Sequence, residues 1–157
     1  MKKRVASKSQ SRRRPRGNRL KPLLAVAVIC ERVLQEEQVS SIIRIVDVFN
    51  LTGESKTLKP GVIEFTIYLL FKSDKARGTR TVKVDVISPS SETRQVFTGH
   101  GEFKGGGQGI SFTVKGMFGV KETGLYWFEV FVNKDLMTRI PLRIEYRQAI
   151  VAQQDRR

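Results

Sequence analysis

The stretch that decides the fold is VIEFTIYLLFK, residues 62–72. Its apolar side chains recur at every second position, which is the period of a β-strand with one face in a hydrophobic core. The residues on that face are Ile63, Phe65, Ile67, Leu69 and Phe71. The opposite face is half polar. The sequence therefore predicts a strand that has a hydrophobic core on one side.

Short apolar or alternating runs of the same kind flank this strand, and turn-forming residues separate them at fairly even spacing. No stretch of ten or more residues shows the 3.6-residue apolar period of a helix, which excludes βαβ architectures. Even spacing of short strands is typical of a sandwich or barrel. We therefore predict an all-β, antiparallel, two-sheet sandwich of about eight strands. The other strands are predicted at residues 23–34, 39–49, 81–87, 96–97, 110–114, 125–132 and 138–146.

The connections between these strands are predicted from their polar and glycine-rich composition. Residues 35–38 and 133–135 are short enough to close hairpins, whereas residues 50–61, 73–79 and 99–109 are expected to be loops or turns. Residues 23–34 are apolar at both parities, which predicts a fully buried first strand. The last two strands are expected to point inward Tyr126, Phe128, Val130, Val132, Ile140, Leu142, Ile144 and Tyr146.

The charge of the chain is concentrated at one end. The net charge is +14, with 29 basic and 15 acidic side chains. Residues 1–21 hold ten of the basic side chains and no acid, so the other 136 residues have a net charge of only +4. With almost no large apolar residues, such a segment cannot offset its ordering entropy by burial. We therefore predict a disordered basic tail over residues 1–21, a β-sandwich domain over 22–147 and a frayed end over 148–157.

The apolar run at residues 23–30 also has the outline of a lipoprotein leader, because basic residues precede it and Cys30 ends it. However, the residue before the cysteine is the large Ile29, and the strand pattern continues past Cys30 without a break. A first strand is therefore the better interpretation. No apolar run approaches the ~20 residues of a membrane helix, so no membrane insertion is expected. One cysteine, which permits no internal disulfide, suits a cytoplasmic location.

The segment Glu122-Thr123-Gly124-Leu125-Tyr126 resembles the tyrosine corner of immunoglobulin-like sandwiches, in which the tyrosine bonds back to the chain. Phe128 stands where antibody domains have a cysteine, so the resemblance implies the topology and not an antibody domain. A wider resemblance, over residues 23–147, is to small bacterial domains of unknown function. The stretches that carry it are residues 42–47, 124–128 and 138–142. It implies a compact bacterial β-sandwich and no particular activity or site.

Residues with catalytic or ligand-binding chemistry are few. His100 is the only histidine and is expected on a loop, without the three or four ligands that zinc requires. The glycines at 105–109 precede a strand and not a helix, so they predict a hairpin turn rather than a phosphate-binding loop. Cys30 is expected to be buried and inert. Arg44 and Asp47 are expected to form a structural charge pair, although their parity puts them on opposite faces of the strand. We therefore predict no catalytic residue, no metal and no cofactor, and expect that the protein is not an enzyme.

The outward parity of residues 125–132 carries an anomaly. Leu125, Trp127, Glu129 and Phe131 are expected to face away from the core, and a sheet face with Trp and Phe is too apolar for solvent alone. Either a loop or a partner covers it. Arg139 and Arg143 share one parity on the next strand and could stack on Trp127. The first functional hypothesis is therefore a protein-interaction module that binds a second copy or another bacterial protein through these residues.

The alternative function rests on the basic tail. Its arginines attract phosphates regardless of base sequence, but it has no aromatic residue to stack on bases. The expected activity is therefore weak, sequence-independent nucleic-acid association at most, and a merely solubilising tail is the interpretation that this composition favours. The arginines expected to contact phosphate are Arg12, Arg13, Arg14, Arg16 and Arg19.

Overall fold

A computed structural model describes residues 20–37 and 39–149 of the chain. Every regular element in this part is a β-strand, which confirms the all-β class. The strands are β1 (Leu23–Glu36), β2 (Val39–Ile45), β3 (Val48–Gly53), β4 (Gly61–Ile87), β5 (Thr93–Val120), β6 (Gly124–Val132) and β7 (Asp135–Gln148).

All seven strands belong to one hydrogen-bonded sheet, in the order β2-β1-β4-β6-β7-β3, with β5 paired to β4. Every pairing is antiparallel except that of β3 with β7, which is parallel. The prediction of a purely antiparallel arrangement was therefore wrong, and the two-sheet sandwich of about eight strands is not confirmed. Residues 62–72 and 81–87 are both parts of β4, and residues 39–49 form two strands because the chain leaves β1 and joins β7 near Asp47.

The long hairpin of β4 and β5 extends through the whole domain. The first part of β4 pairs with β1 and with the end of β5, and its last part pairs with β6 and with the start of β5. Between these parts the ladder is irregular, with register shifts between Lys72 and Arg77. Asp74, Gly78, Gly105 and Gly106 have positive φ there. The loops predicted at 73–79 and 99–109 are therefore bulged sections of the two strands, because glycines and a single aspartate accommodate the left-handed conformation.

An aromatic cluster joins the two parts of β4 across the core. Phe128 on β6 pairs with Val86 near the end of β4, yet its ring centroid lies 5.4 Å from that of Phe65 near the beginning of β4. Phe118 contacts both, at 5.7 Å from Phe65 and 5.6 Å from Phe128. The sheet therefore folds over so that its inward faces meet. Each edge-to-face pair contributes about 0.5–1.5 kcal/mol beyond the burial of its area.

The inward-facing residues predicted from alternation are confirmed by their burial. The predicted faces of β4, β6 and β7 are at most 8% exposed, except Tyr146, which is half-buried. The first strand differs from its prediction, because Leu23 is 61% and Leu34 is 40% exposed. Pairing between β1 and β4 ends at Cys30, so the remainder of β1 extends beyond the core.

The segment before β6 forms the predicted tyrosine corner. The Tyr126 hydroxyl donates a hydrogen bond to the carbonyl oxygen of Glu122 at 2.9 Å, and the side chain is buried. Burial raises the pKa of Tyr126. β6 then continues into β7 through a turn at residues 133–134, within the turn predicted over residues 133–135. In residues 20–37 and 39–149 no helix is long and apolar enough to cross a membrane.

Tyr126→Phe tests the corner, because it removes the hydroxyl and leaves the Glu122 carbonyl without that donor. We expect the free energy of unfolding to fall by about 1 kcal/mol, measured by urea denaturation of the full chain. Tyr68→Phe is the matched control, since the buried Tyr68 has no hydrogen-bond partner among the described residues, and its expected change is below about 0.5 kcal/mol. Equal losses in the two variants would contradict the structural role of the corner.

Candidate functional site

Trp127 lies on the outer face of β6, at the centre of an apolar row that crosses three strands. Its cross-strand partners are Ile87 on β4 and Pro141 on β7. The Trp127 side chain is 36% exposed, so the described loops leave it open. This places the predicted aromatic residue on a rigid sheet and accessible to another molecule. We call the outer side of β4, β6 and β7 around it the Trp127 face.

A row of charged side chains lies next to the apolar row. Asp85 on β4 is opposite Glu129 on β6, and Glu129 is opposite Arg139 on β7. Lys83 Nζ is 2.6 Å from Asp85 Oδ2, and Arg139 Nη2 is 2.8 Å from Glu129 Oε1. The two carboxylates are only 10% and 12% exposed, although both point outward. Each carboxylate therefore has its own cation within the face.

Phe131 lies on the other side of the charged row. The ammonium group of Lys83 lies 4.8 Å from the centroid of the Phe131 ring, which is a cation–π contact. Arg139, which the sequence suggested as a stacking partner of Trp127, instead forms its ion pair with Glu129. Phe131 is therefore partly covered from within the chain, and Trp127 is the more accessible of the two aromatic residues.

Arg143 is the fourth residue predicted for this face. It lies on β7 opposite Leu125, and its side chain is exposed. Its backbone N–H donates a hydrogen bond to the carbonyl oxygen of Asp47 at 2.8 Å. Within the described residues its guanidinium forms no salt bridge, in contrast to Lys83 and Arg139. Arg143 therefore presents an uncompensated positive charge beside the apolar row.

The other candidate residues lie apart from this face or have a different environment from the one predicted. His100 belongs to β5 and not to a loop, and its Nδ1 lies 3.3 Å from Thr81 Oγ1. Cys30 is buried as expected, and burial raises the pKa of its thiol. A groove of about 780 Å³ includes Cys30 in its lining but not His100. Within residues 20–37 and 39–149, no three His, Cys, Asp or Glu side chains are grouped as metal ligands.

The sequence also predicted an ion pair of Arg44 with Asp47 and a phosphate-contacting set of arginines in the basic tail. Arg44 pairs with Glu31 across β1 and β2, at 2.9 Å, and not with Asp47. The register of the two strands explains this pair. Cys30 lies opposite Ile45 and Arg32 lies opposite Ile43, so Glu31 lies opposite Arg44. The arginines of the basic tail, Arg12, Arg13, Arg14, Arg16 and Arg19, lie outside the described residues.

Sequence reasoning did not identify the projecting end of the β1–β2 hairpin as a surface feature. Its β1 residues as far as Leu34 were predicted to be buried, because residues 23–34 are apolar at both parities. The length of the two predicted runs was the available signal, since residues 23–34 and 39–49, joined by a polar link, both exceed the usual strand of about 5–6 residues. This hairpin end is a second apolar surface of the domain.

No protein-family model matches the sequence, and no curated protein matches it. Among solved structures it is similar to a β-glucosidase from Listeria innocua, with TM-score 0.45, 10% identity and coverage of 82% of this chain and 17% of that one. An alkylpurine DNA glycosylase from Pseudomonas fluorescens bound to DNA with an abasic-site analogue gives TM-score 0.39 and 10% identity, over 63% and 27% of the two chains. An immunoglobulin-like protein from Pseudomonas aeruginosa gives TM-score 0.38 and 9% identity, over 82% and 100%.

Arg139→Met tests whether Glu129 depends on its ion pair. The substitution leaves a carboxylate that is 12% exposed without its cation and opposite Asp85. We expect the free energy of unfolding to fall by about 1 kcal/mol. This is the lower end of the cost of leaving a buried polar group unpaired, because Arg139 itself is largely exposed. Adding Glu129→Gln should recover most of the loss, as measured by chemical denaturation.

The matched control is Arg147→Met, which removes a contact of 3.8 Å between Arg147 and Glu145 in which the arginine is 75% exposed. Exposed pairs of this kind contribute little, so its effect should stay below about 0.5 kcal/mol. If Arg139→Met and Arg147→Met had equal effects, or if Glu129→Gln gave no recovery, the result would show that Glu129 does not depend on its ion pair with Arg139.

Proposed function

We propose that this chain is a non-enzymatic, accessory binding module with an immunoglobulin-like β-sandwich architecture, and that the Trp127 face binds a protein partner. The observation that carries the proposal is the exposed indole of Trp127 at the centre of a three-strand apolar row. The corner hydrogen bond of Tyr126 supports the immunoglobulin-like architecture.

A tryptophan held on a sheet is an efficient contact residue. Trp is enriched among the side chains that contribute most to protein interfaces, and its ring loses little conformational entropy on binding. Here the strands on both sides of β6 already fix its position. Ile87 and Pro141 extend the apolar row on either side. A partner that covers this row therefore gains apolar burial without first ordering the surface.

The charged groups on the face determine which partner chemistry it fits. Asp85 and Glu129 are already paired with Lys83 and Arg139, so they require no cation from a partner. Arg143 has no such pairing among the described residues and lies beside Leu125. The complementary surface is therefore a protein segment that presents an apolar side chain for Trp127 and a neighbouring carboxylate for Arg143.

Nucleic-acid association through the basic tail is the alternative. Ten basic side chains without an acid in residues 1–21 support it, because phosphate binding by such a segment requires only charge. The Trp127 face, by contrast, carries two carboxylates among its cations. The tail arginines and the Trp127 face are therefore separate candidates that bind different classes of partner.

The experiment selects binders from a library of random peptides displayed on phage, using the full chain as target and excess Trp127→Ser chain as competitor. The competitor keeps the tail and removes peptides that bind elsewhere. We expect enriched peptides to carry an apolar residue next to Asp or Glu and to bind with Kd on the order of micromolar. Because Trp127 is the only tryptophan, its emission reports binding at the face directly.

Charge-matched variants provide the controls. Arg143→Ser should weaken binding of the selected peptides at least tenfold, about 1.4 kcal/mol, whereas Lys134→Ser removes an exposed charge in the β6–β7 turn and should leave binding unchanged. Selection that yields no peptide sensitive to Trp127 would overturn the proposal. Binding of a random DNA duplex at low salt that is lost when the five tail arginines are replaced by Gln would instead support the alternative.

A further inference from the structure

The end of the β1–β2 hairpin extends beyond the rest of the sheet. Pairing of β1 with β4 ends where Cys30 meets Thr66, and after that point β1 pairs only with β2. β2 has no other partner among the described strands, so its second edge is free. We call residues 31–36 together with β2 the arm.

The arm is apolar although it lies outside the core. Val39 is 66% and Ile45 is 65% exposed. None of the large apolar side chains of the arm belongs to the core cluster or to the partly buried residues that pack against it. These side chains are Val33, Leu34, Val39, Ile42, Ile43 and Ile45. Since a two-stranded hairpin without a core is only marginally stable in water, this composition indicates that the arm packs against another molecule.

The free edge of β2 lacks most of the features that normally prevent strand pairing. Natural edges are protected by lysine, proline, bulges or inward charges. Val39-Ser40-Ser41-Ile42-Ile43 contains none of these residue types. Arg44 follows with a φ of 49°, which ends the straight part of the edge. The segment available for pairing is therefore the five residues Val39–Ile43.

We propose that the arm pairs with the arm of a second copy of this chain, β2 antiparallel to β2, about a two-fold axis at Ser41. In this register Val39 lies opposite Ile43 of the second copy, and Ser40 lies opposite Ile42. Val39 and Ile43 thus form apolar pairs, and Ile42 meets the small Ser40 of the other copy. The same five residues form both halves of the contact, as an isologous interface requires.

The charges at the ends of the arm are complementary in the same register. Arg44, three residues past the axis, lies beside the hairpin tip of the second copy, where Glu36 and Glu37 are exposed. Within its own chain Arg44 already contacts Glu31 in an exposed pair. No like charges are opposed across the axis. Electrostatics therefore favours this register over those that bring the two arginines together.

A second copy fits this edge better than the basic tail does. Residues 1–19 contain only Met1 and Val5 as large apolar side chains, so they cannot provide an alternating apolar strand. The Trp127 face is formed by β4, β6 and β7, and the arm by β1 and β2. Dimerisation through the arm therefore leaves the Trp127 face open, and the emission of Trp127 should not change as the dimer forms.

Sedimentation velocity of the full chain over a range of concentrations tests the proposal. The wild type should show a monomer–dimer equilibrium with Kd on the order of micromolar. Ser41→Lys places two lysines directly opposite each other at the axis and should raise Kd at least tenfold, and Ser41→Glu should act likewise. Because the two charges attract, a mixture of Ser41→Lys and Ser41→Glu chains should restore the dimer.

Ser41 is exposed, so both variants should keep the far-ultraviolet circular dichroism and melting temperature of the wild type. Ser111→Lys, an exposed serine on β5, is the matched control and should dimerise normally. A wild type that stays monomeric, a dimer insensitive to both charges at Ser41, or a mixture that stays monomeric would each overturn the arm pairing. If one charged variant failed to fold, the other would decide by itself.

Discussion

The contact of Phe65 with Phe128 connects parts of the chain that the hydrogen-bond ladder does not bring together, and Phe118, a neighbour of Phe65 in the β4–β5 ladder, packs against both. Phe65 and Val86, the cross-strand partner of Phe128, lie on the same strand, and only a fold in the sheet places Phe65 against Phe128. The bulges between Lys72 and Arg77 allow that fold, since glycine and aspartate occupy the left-handed positions. The aromatic contacts then stabilise the folded-over sheet.

This constraint determines which surfaces remain for binding. Because β4 extends through the whole domain, the side chains of its last part that face away from the core lie on the same side as those of β6 and β7. That arrangement brings Lys83 and Asp85 next to Glu129 and Arg139, and leaves Trp127 accessible beside them. At the other end of the sheet, the residues of β4 that precede Thr66 do not pair with β1, and the arm is left without a core. The Trp127 face and the exposed arm thus both follow from the course of β4.

Alternation in the sequence was sufficient to predict the strand class and the inward residues, because a period of two directly reports which side chains face the core. The tyrosine corner was predicted from the resemblance of residues 122–126 to a known motif. It did not predict strand continuity. Asp74 and the glycines near 105 are equally compatible with a loop and with a bulge, and only the pairing of β4 with β5 distinguishes them. The parallel β3–β7 pair was also missed, because β3 contains few residues and its partner is distant in sequence. At the candidate site, parity correctly placed Trp127 on the outer face, whereas the partner of Arg139 depends on which residues β6 brings opposite it.

Amide hydrogen exchange of the full chain, at a concentration where it is monomeric, tests most directly whether the two parts of β4 form one cooperative unit. We predict that the amides of Ile67 and Val84, both fully buried, exchange at the same slowest rate, through global unfolding. The amide of Leu34 in the arm should exchange at least about a hundred times faster, since the arm opens locally. Exchange of Val84 that is much faster than that of Ile67 would show that the two parts open independently, and would contradict the central role of the aromatic cluster.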